Sequence, residues 1–504
     1  MSFSIYKSSF FIKENKLITG WSNKIIDSEI KKIESTDSNY PALGKYYSFP
    51  LSEQLYAYYP LAIDALPSQT EELNMLIKES KVKWKNDFFI SPYYRIANAI
   101  INDAYIQHFY AYYEEDGLAD SWQSVCSSYI KEIADCTSYE EYSIYSYKHY
   151  ASVRDGHMYI MNGYNKPGSM LGKYVRIYYP DILLKYVEGK VCIADYSSTY
   201  KDLQPGDQIV AVNGKDIKSL LEEKLKLVSA STKGSSFEKV CNMFIFQSFK
   251  KDSIIHIQVK QDGNITRDMA LRTNKTQNRE FNQGEFIKQI EDGIWKINPC
   301  TDKKNSYSAF AKYIDEFQHA KGIIIDVRGY PQASILPILS HFIDTTAAVG
   351  QILTPTFYYP NHDNVKYEIT ALSSWGIHPA IEPYQKEWEY DKPLPVRLQT
   401  PVVFLTDHNA ISFAETIMEL FKSHGIGTII GQPTAGTNGD AVIVRSPTIG
   451  MIFTGYKFLT FGGERHHGVG VRPDIECPFR MEDLKNQEDT HIKKACEWIN
   501  SKYD

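Results

Sequence analysis

The stretch Val402-Val403-Phe404-Leu405-Thr406-Asp407-His408-Asn409-Ala410-Ile411-Ser412 decides how this chain is read. Its apolar run shows no polar alternation and then gives way to a short polar turn. That is the pattern of a strand buried on both faces, as in a parallel sheet covered by helices. Helical spacing follows from Ser412 to Lys422. A strand-to-helix corner projects a side chain and aims free backbone N–H groups at one point, which suits a nucleophile and its oxyanion. Read locally, however, Ser412 is first a helix cap, with Glu415 completing a Ser-x-x-Glu capping box.

Moving outward, Gly322 to Val327 and Gly427 to Ile430 are further apolar runs, and Ser306 to Phe317 has helical spacing. Apolar strands alternating with helices predict an α/β layer from about residue 284 onward. The first of these runs ends in Asp326-Val327-Arg328-Gly329-Tyr330-Pro331. Asp-x-Arg there reads as an ion pair closing a strand end. It also reads as a loop whose backbone donors face the crevice at the carboxyl ends of the strands.

Upstream, the polar stretch Thr273 to Asn282 reads as a linker, and residues 168–273 read as short strands. Val191 to Ala194, Gln208 to Val212 and Ile254 to Val259 are three of them, with Pro205-Gly206-Asp207 and Asn213-Gly214 as turns. Before them, Ile96, Ile100, Ile101, Ala104 and Tyr105, then Trp122, Val125, Tyr129 and Ile133, recur at helical spacing. Asp120-Ser121 and Thr137-Ser138 are the expected caps of the later helices. This helical region runs into Asp155-Gly156-His157. A lone histidine is more often structural than catalytic, but a general base must reach its serine in space and not in sequence. Residues 1 to 90 are tyrosine-rich and mixed, and are expected to form a small α/β or β-rich region. The resulting division is 1–91, 92–165, 166–275 and 276–504.

Composition bounds the function. At 504 residues the chain exceeds one hydrophobic core, and 43% apolar with 23% charged residues is a globular profile. A net charge of -6 with no dense basic run argues against nucleic acid as a partner. No run is long and apolar enough for a membrane span. The N-terminus lacks a signal peptide's apolar region and cleavage site, so a cytoplasmic chain is expected, or a periplasmic or secreted one if an export signal was trimmed. The seven cysteines and the histidines never cluster at ligand spacing, so neither a metal nor another cofactor is expected.

In order and content these segments resemble the C-terminal processing (tail-specific) protease family, in its tricorn-like and bacterial branches. The resemblance runs from about residue 92 to the end through Asp155-Gly156-His157, Leu203-Gln204-Pro205-Gly206-Asp207, Asp326-x-Arg328, Ser412-x-x-Glu415, Gly431-Gln432-Pro433-Thr434-Ala435-Gly436 and Gly470-Val471-Arg472-Pro473-Asp474. It implies a crotonase-like (ClpP-like) α/β core, an N-terminal helical region and an inserted PDZ-like β domain. It further implies a serine endopeptidase acting on unfolded or loosely structured polypeptide, with Ser412 as nucleophile and His157 as base. The oxyanion would be held by backbone N–H groups of Phe413 and Gln332. The bacterial branch places an activating lysine at the position of Thr437, so a Ser/Lys dyad is not expected here. The tricorn-like branch places its glutamate at the position of His467, and Glu464 lies three residues earlier. Glu464 serves as the third member only if a turn at Gly462-Gly463 reverses its face; His467, or no acid at all, are the alternatives. Where the family has Gly-Gly after the Asp-x-Arg strand, this chain has Gln332-Ala333.

Overall fold

The structure, a computed structural model, describes residues 91–161, 176–261, 265–276, 284–301, 306–332, 335–343, 350–356, 366–369, 396–444 and 449–503, with short segments before residue 76. The chain divides into two compact units, one of residues 1–95 with 354–368 and one of residues 96–353 with 369–504. In the first, Phe10–Lys13 pairs with Lys16–Thr19 and with Ile63–Asp64, and Tyr46–Ser52 pairs with Leu55–Pro60.

Three helices follow: α1 (Pro92–Phe109), most of which belongs to the second unit, then α2 (Leu118–Asp135) and α3 (Tyr139–Tyr150) within it. The cap expected at Ser138 is present, its side chain accepting from Glu141 N. The one expected at Asp120-Ser121 is not. Gly117 in the left-handed region (φ 73°) starts α2 instead, and Asp120 lies in its first turn, where a carboxylate favours the helix dipole. A short strand, β1 (Tyr159–Met161), follows Asp155-Gly156-His157.

Next come β2 (Ile182–Val187), β3 (Lys190–Tyr196), β4 (Gln208–Val212), helices α4 (Ile217–Leu225) and α5 (Lys233–Met243), then β5 (Ile254–Lys260) and β6 (Thr266–Arg272); the region read as strands alone thus holds two helices, started by the side-chain caps Asp216 and Thr232. The strands form one sheet in the order β6-β5-β4-β3-β2. The Asn213-Gly214 turn has positive φ at both residues (47° and 77°), as a two-residue hairpin requires.

The last sheet holds the deciding stretch. Its order is β7 (Ile287–Glu291), β8 (Ile294–Ile297), β9 (Gly322–Asp326), β10 (Val402–Thr406), β11 (Thr428–Gly431) and a final strand, Ile475–Glu476. From β8 onward all neighbours are parallel. Every residue of β9 and β10 is buried, because alternate side chains serve two cores. Ile323, Ile325, Val402 and Phe404 pack under helix α6 (Phe413–Ser423) with Ile417 and Phe421. Ile324, Val403 and Leu405 face the opposite helix, α7 (Thr490–Asn500), through Ala495 and Ile499. Parallel pairing of β9 with β10 brings Asp326 level with Leu405, so the loops after both strands leave by the same edge. At that edge Gly431 (φ 138°) lies so close to Thr406 that a Cβ would sit 3.0 Å from its carbonyl carbon. Two strands complete the neighbourhood: β12 (Ala441–Val444) and β13 (Gly450–Thr454), the latter pairing with β1.

Candidate functional site

Ser412 stands between β10 and α6 with φ 57° and ψ -112°. This is the first central position of a type II′ turn, rare for a residue with a side chain. The conformation is held from both sides. Ser412 N–H donates to Thr437 O (2.9 Å) and to Glu415 Oε2 (3.1 Å). Glu415 is fully buried and also accepts from Thr434 Oγ1 (2.5 Å), Gly436 N (2.7 Å) and Thr437 N (3.0 Å). Thr434 Oγ1 in turn accepts from Val471 N (2.8 Å). Three separate sequence segments are thus tied to one carboxylate under the serine. Phe413 N–H, the next backbone donor, has no acceptor among the described residues, as befits the first turn of a helix.

The Asp155-Gly156-His157 loop docks on the same corner. A Cβ on Gly156 would lie 2.8 Å from Thr437 Cβ and 2.9 Å from Ile411 Cδ1, so only glycine fits against the residue preceding Ser412. Gly156 N–H donates to Thr437 Oγ1 (2.9 Å), and Lys239 of α5 donates to Gly156 O (2.7 Å) and Ser229 O (2.8 Å). Burial pushes the Lys239 amine down to about 8, with Asp155 opposing it.

His157 Nδ1 is 2.8 Å from Thr454 Oγ1, at the end of β13. Thr454 Oγ1 donates to Asp155 Oδ1 (2.8 Å), and Asp155 also accepts from Thr454 N (2.6 Å) and His157 N (3.0 Å). Asp155 is fully buried. The imidazole is therefore held through a hydroxyl that is itself held by a carboxylate. Burial keeps the His157 ring below its ordinary value, opposed by the charges of Asp155 and Glu415. The ring is thus in its basic form at neutral pH. Among the described residues no hydrogen bond joins Ser412 Oγ to His157; catalytic hydrogen bonds often tighten only in the complex with substrate.

Against known proteins, residues 291–477 match the model of peptidase family S41. Over this segment, rather more than a third of its length, the chain is similar to peptidase family S41. The Chlamydia pneumoniae protein CPj1016/CpB1054 is 30% identical over 123 residues, which is 24% of this chain and 18% of that protein. The chain therefore matches less than a fifth of the length of that relative. Among solved structures, mature CPAF complexed with lactacystin superposes with a TM-score of 0.61 at 14% identity, covering 81% of this chain and 99% of that one. Mature CPAF alone gives 0.59 at 12% identity, over 81% and 98%. At these identities the likeness is one of fold: an α/β S41 fold with N-terminal helices and several sheets.

Within the S41 fold the expected residues fall as follows. Ser412 and His157 are on facing segments of one corner, and Phe413 N–H points from the same helix end. Gln332 does not supply a free donor, because its N–H already bonds Pro299 O (3.1 Å). Glu464 is exposed on a turn closed by Thr460, with its N–H on Thr460 Oγ1 (2.9 Å). The turn that Gly462-Gly463 made conceivable is present, yet Thr454 occupies His157 Nδ1. His467 is buried elsewhere, stacked on Tyr112 (3.8 Å between centroids) with Nε2 3.1 Å from Asp116 Oδ2. Thr437, where the bacterial branch has its lysine, instead carries the Gly156 N–H. Arg328 forms paired bonds to Asp326 (2.7 and 2.8 Å) and Asp489 (2.8 Å each), so the Asp-x-Arg motif is a buried ion pair closing the strand end. Two functional candidates were missed. Asp155 was legible as part of its motif, two positions before His157, but nothing in the residues around Thr454 marks it.

Proposed function

We propose that the chain is a serine endopeptidase in which His157 takes the Ser412 proton and Ser412 attacks a peptide carbonyl. The observation that carries this is the His157–Thr454–Asp155 chain docked through Gly156 on the Ser412 turn. A neutral imidazole fixed at Nδ1 presents Nε2 as the base, and the threonine and aspartate stabilise the imidazolium that forms. Ser412 is half-buried at the strained turn, and Phe413 N–H supplies one oxyanion donor. The Gly329-Tyr330 segment after β9 leaves from the same sheet edge and is the better candidate for the second donor, since Gln332 N–H is engaged. The acyl-enzyme is released by water.

The core is read as crotonase-like, with the sheet of β2 to β6 as a PDZ-like insertion. Edge strand β2 lies beside α5, with Tyr186 stacked on Phe237 (4.1 Å) between them. An extended polypeptide adding to that edge would be captured through backbone hydrogen bonds, which favours unfolded or loosely structured substrates. No helix among the described residues is long and apolar enough to cross a membrane.

The test is labelling with a fluorophosphonate probe. Wild type should label, and Ser412→Ala and His157→Ala should not. A folded wild-type protein that stays unlabelled points instead to an inactive member that only binds peptide.

A further inference from the structure

We propose that Asp103, Cys126 and His149 form a binding site for a divalent transition metal of the zinc type. Each residue comes from a different helix, α1, α2 and α3, and the three are far apart in sequence, which is why no ligand spacing is visible there. In the fold one ligand atom from each lies within 4.8 Å of the others. Ligands on one tetrahedral ion at about 2.0–2.3 Å stand roughly 3.3–3.8 Å apart, so the three side chains are near enough to draw onto one ion.

Asp103 meets both the His149 ring and the Cys126 thiol, yet one carboxylate oxygen and one ring nitrogen of the cluster stay without a hydrogen-bond partner among the described residues. Asp103 and His149 are buried, at 6% and 4% exposure. His149 Nε2 sits 2.8 Å from Asp103 Oδ1, while Asp103 Oδ2 and His149 Nδ1 have no hydrogen-bond partner among the described residues. Native interiors rarely leave a carboxylate oxygen and a ring nitrogen of one cluster both unpaired. A cation here satisfies the carboxylate. The donor set is carboxylate, imidazole and thiol, which suits a borderline-soft ion better than magnesium or calcium. With the thiol ionised, the ligands carry two negative charges and neutralise a divalent ion.

The surroundings are built like a metal-site wall. Tyr129 stacks on the His149 ring (4.1 Å, 7°) and Trp122 lies across it at 5.0 Å. Trp122 Nε1 also donates to Asp103 O (3.3 Å), which holds α2 against α1. Cys126 is only half-buried and gives the ion its entry.

The role is structural. His149 belongs to the last turn of α3, and the next residues, Ser152 and Val153, bond back to His149 O and Tyr150 O before the chain reaches Asp155. An ion bridging the three helices therefore braces the segment that delivers Asp155 and His157, without touching Ser412.

The test uses the full chain, stripped with chelator and titrated with Co2+. The expected result is a near-ultraviolet thiolate-to-cobalt band that saturates at one equivalent and is displaced by Zn2+. The band is lost in Cys126→Ser and kept in Cys136→Ser, the neighbouring cysteine outside the cluster. In parallel, Zn2+ should protect Cys126 of the wild type from iodoacetamide, read by mass spectrometry, which needs no variant. A wild type with no saturable band, a band that survives Cys126→Ser, or Cys126 alkylated equally with and without Zn2+ overturns the proposal.

Discussion

Replacing Thr454 by valine tests how the imidazole is held, because it removes one hydroxyl and keeps the shape. Thr454 Oγ1 bridges His157 Nδ1 and Asp155 Oδ1 at 2.8 Å each, and the residue is wholly buried, so no solvent stands ready to replace it. Leaving a buried group without its partner costs about 1–3 kcal/mol. If that cost falls on the transition state, where the imidazole becomes charged, it corresponds to a loss of roughly 5- to 150-fold in rate. Asp155 keeps its bonds from Thr454 N and His157 N, so the loop should stay in place and the fold should survive. The assay is the second-order rate of fluorophosphonate labelling, with cleavage of an unfolded fluorescent casein as a second readout. The expected outcome is a fall within that range for Thr454→Val, mostly recovered in Thr454→Ser, which restores the hydroxyl. A folded Thr454→Val protein that labels at the wild-type rate would refute the reasoning, since His157 would then need no partner at Nδ1.

Three further outcomes are expected. The rate of labelling should fall in acid with an inflection below the ordinary imidazole value of about 6.5, because burial lowers His157 and the base must be neutral; an acid limb centred above pH 7 would contradict this. Ser412→Gly should abolish labelling yet raise thermal stability, because φ 57° and ψ -112° cost a serine about 1–3 kcal/mol that glycine largely avoids. Calorimetry showing a lowered midpoint for that variant would mean the turn is not strained. Gly156→Ala should lose about 1–3 kcal/mol and most activity, since its Cβ would press on Thr437 and Ile411 and lift the histidine loop; unchanged activity and melting would mean that the loop does not dock there.

Much of this fold lies in short-range pattern. The uninterrupted apolar runs of 322–326 and 402–406 determine central parallel strands by themselves, because a strand buried on both faces has no polar side to alternate. The Asn213-Gly214 hairpin and the Ser138 cap follow from local backbone chemistry. The same is true of Ser412 as a strand-to-helix corner, and of Glu415 three residues later. The start of α2 was misplaced because Gly117 caps by backbone conformation, and side-chain chemistry does not reveal that.

Which side chains meet is a different matter. The partner of His157 comes from Thr454, nearly three hundred residues away, at the end of a strand that pairs with β1. The occupancy of Gln332 N–H depends on the carbonyl of Pro299 across a loop. Asp103, Cys126 and His149 converge only when three helices pack. Sequence by itself determined the central strands, their order and the corner that carries Ser412, because those depend on interactions within a few residues. Tertiary structure alone decided what orients His157 and what each buried polar atom bonds to. Those contacts are made by long-range packing, where the identity of a neighbour is independent of its distance along the chain.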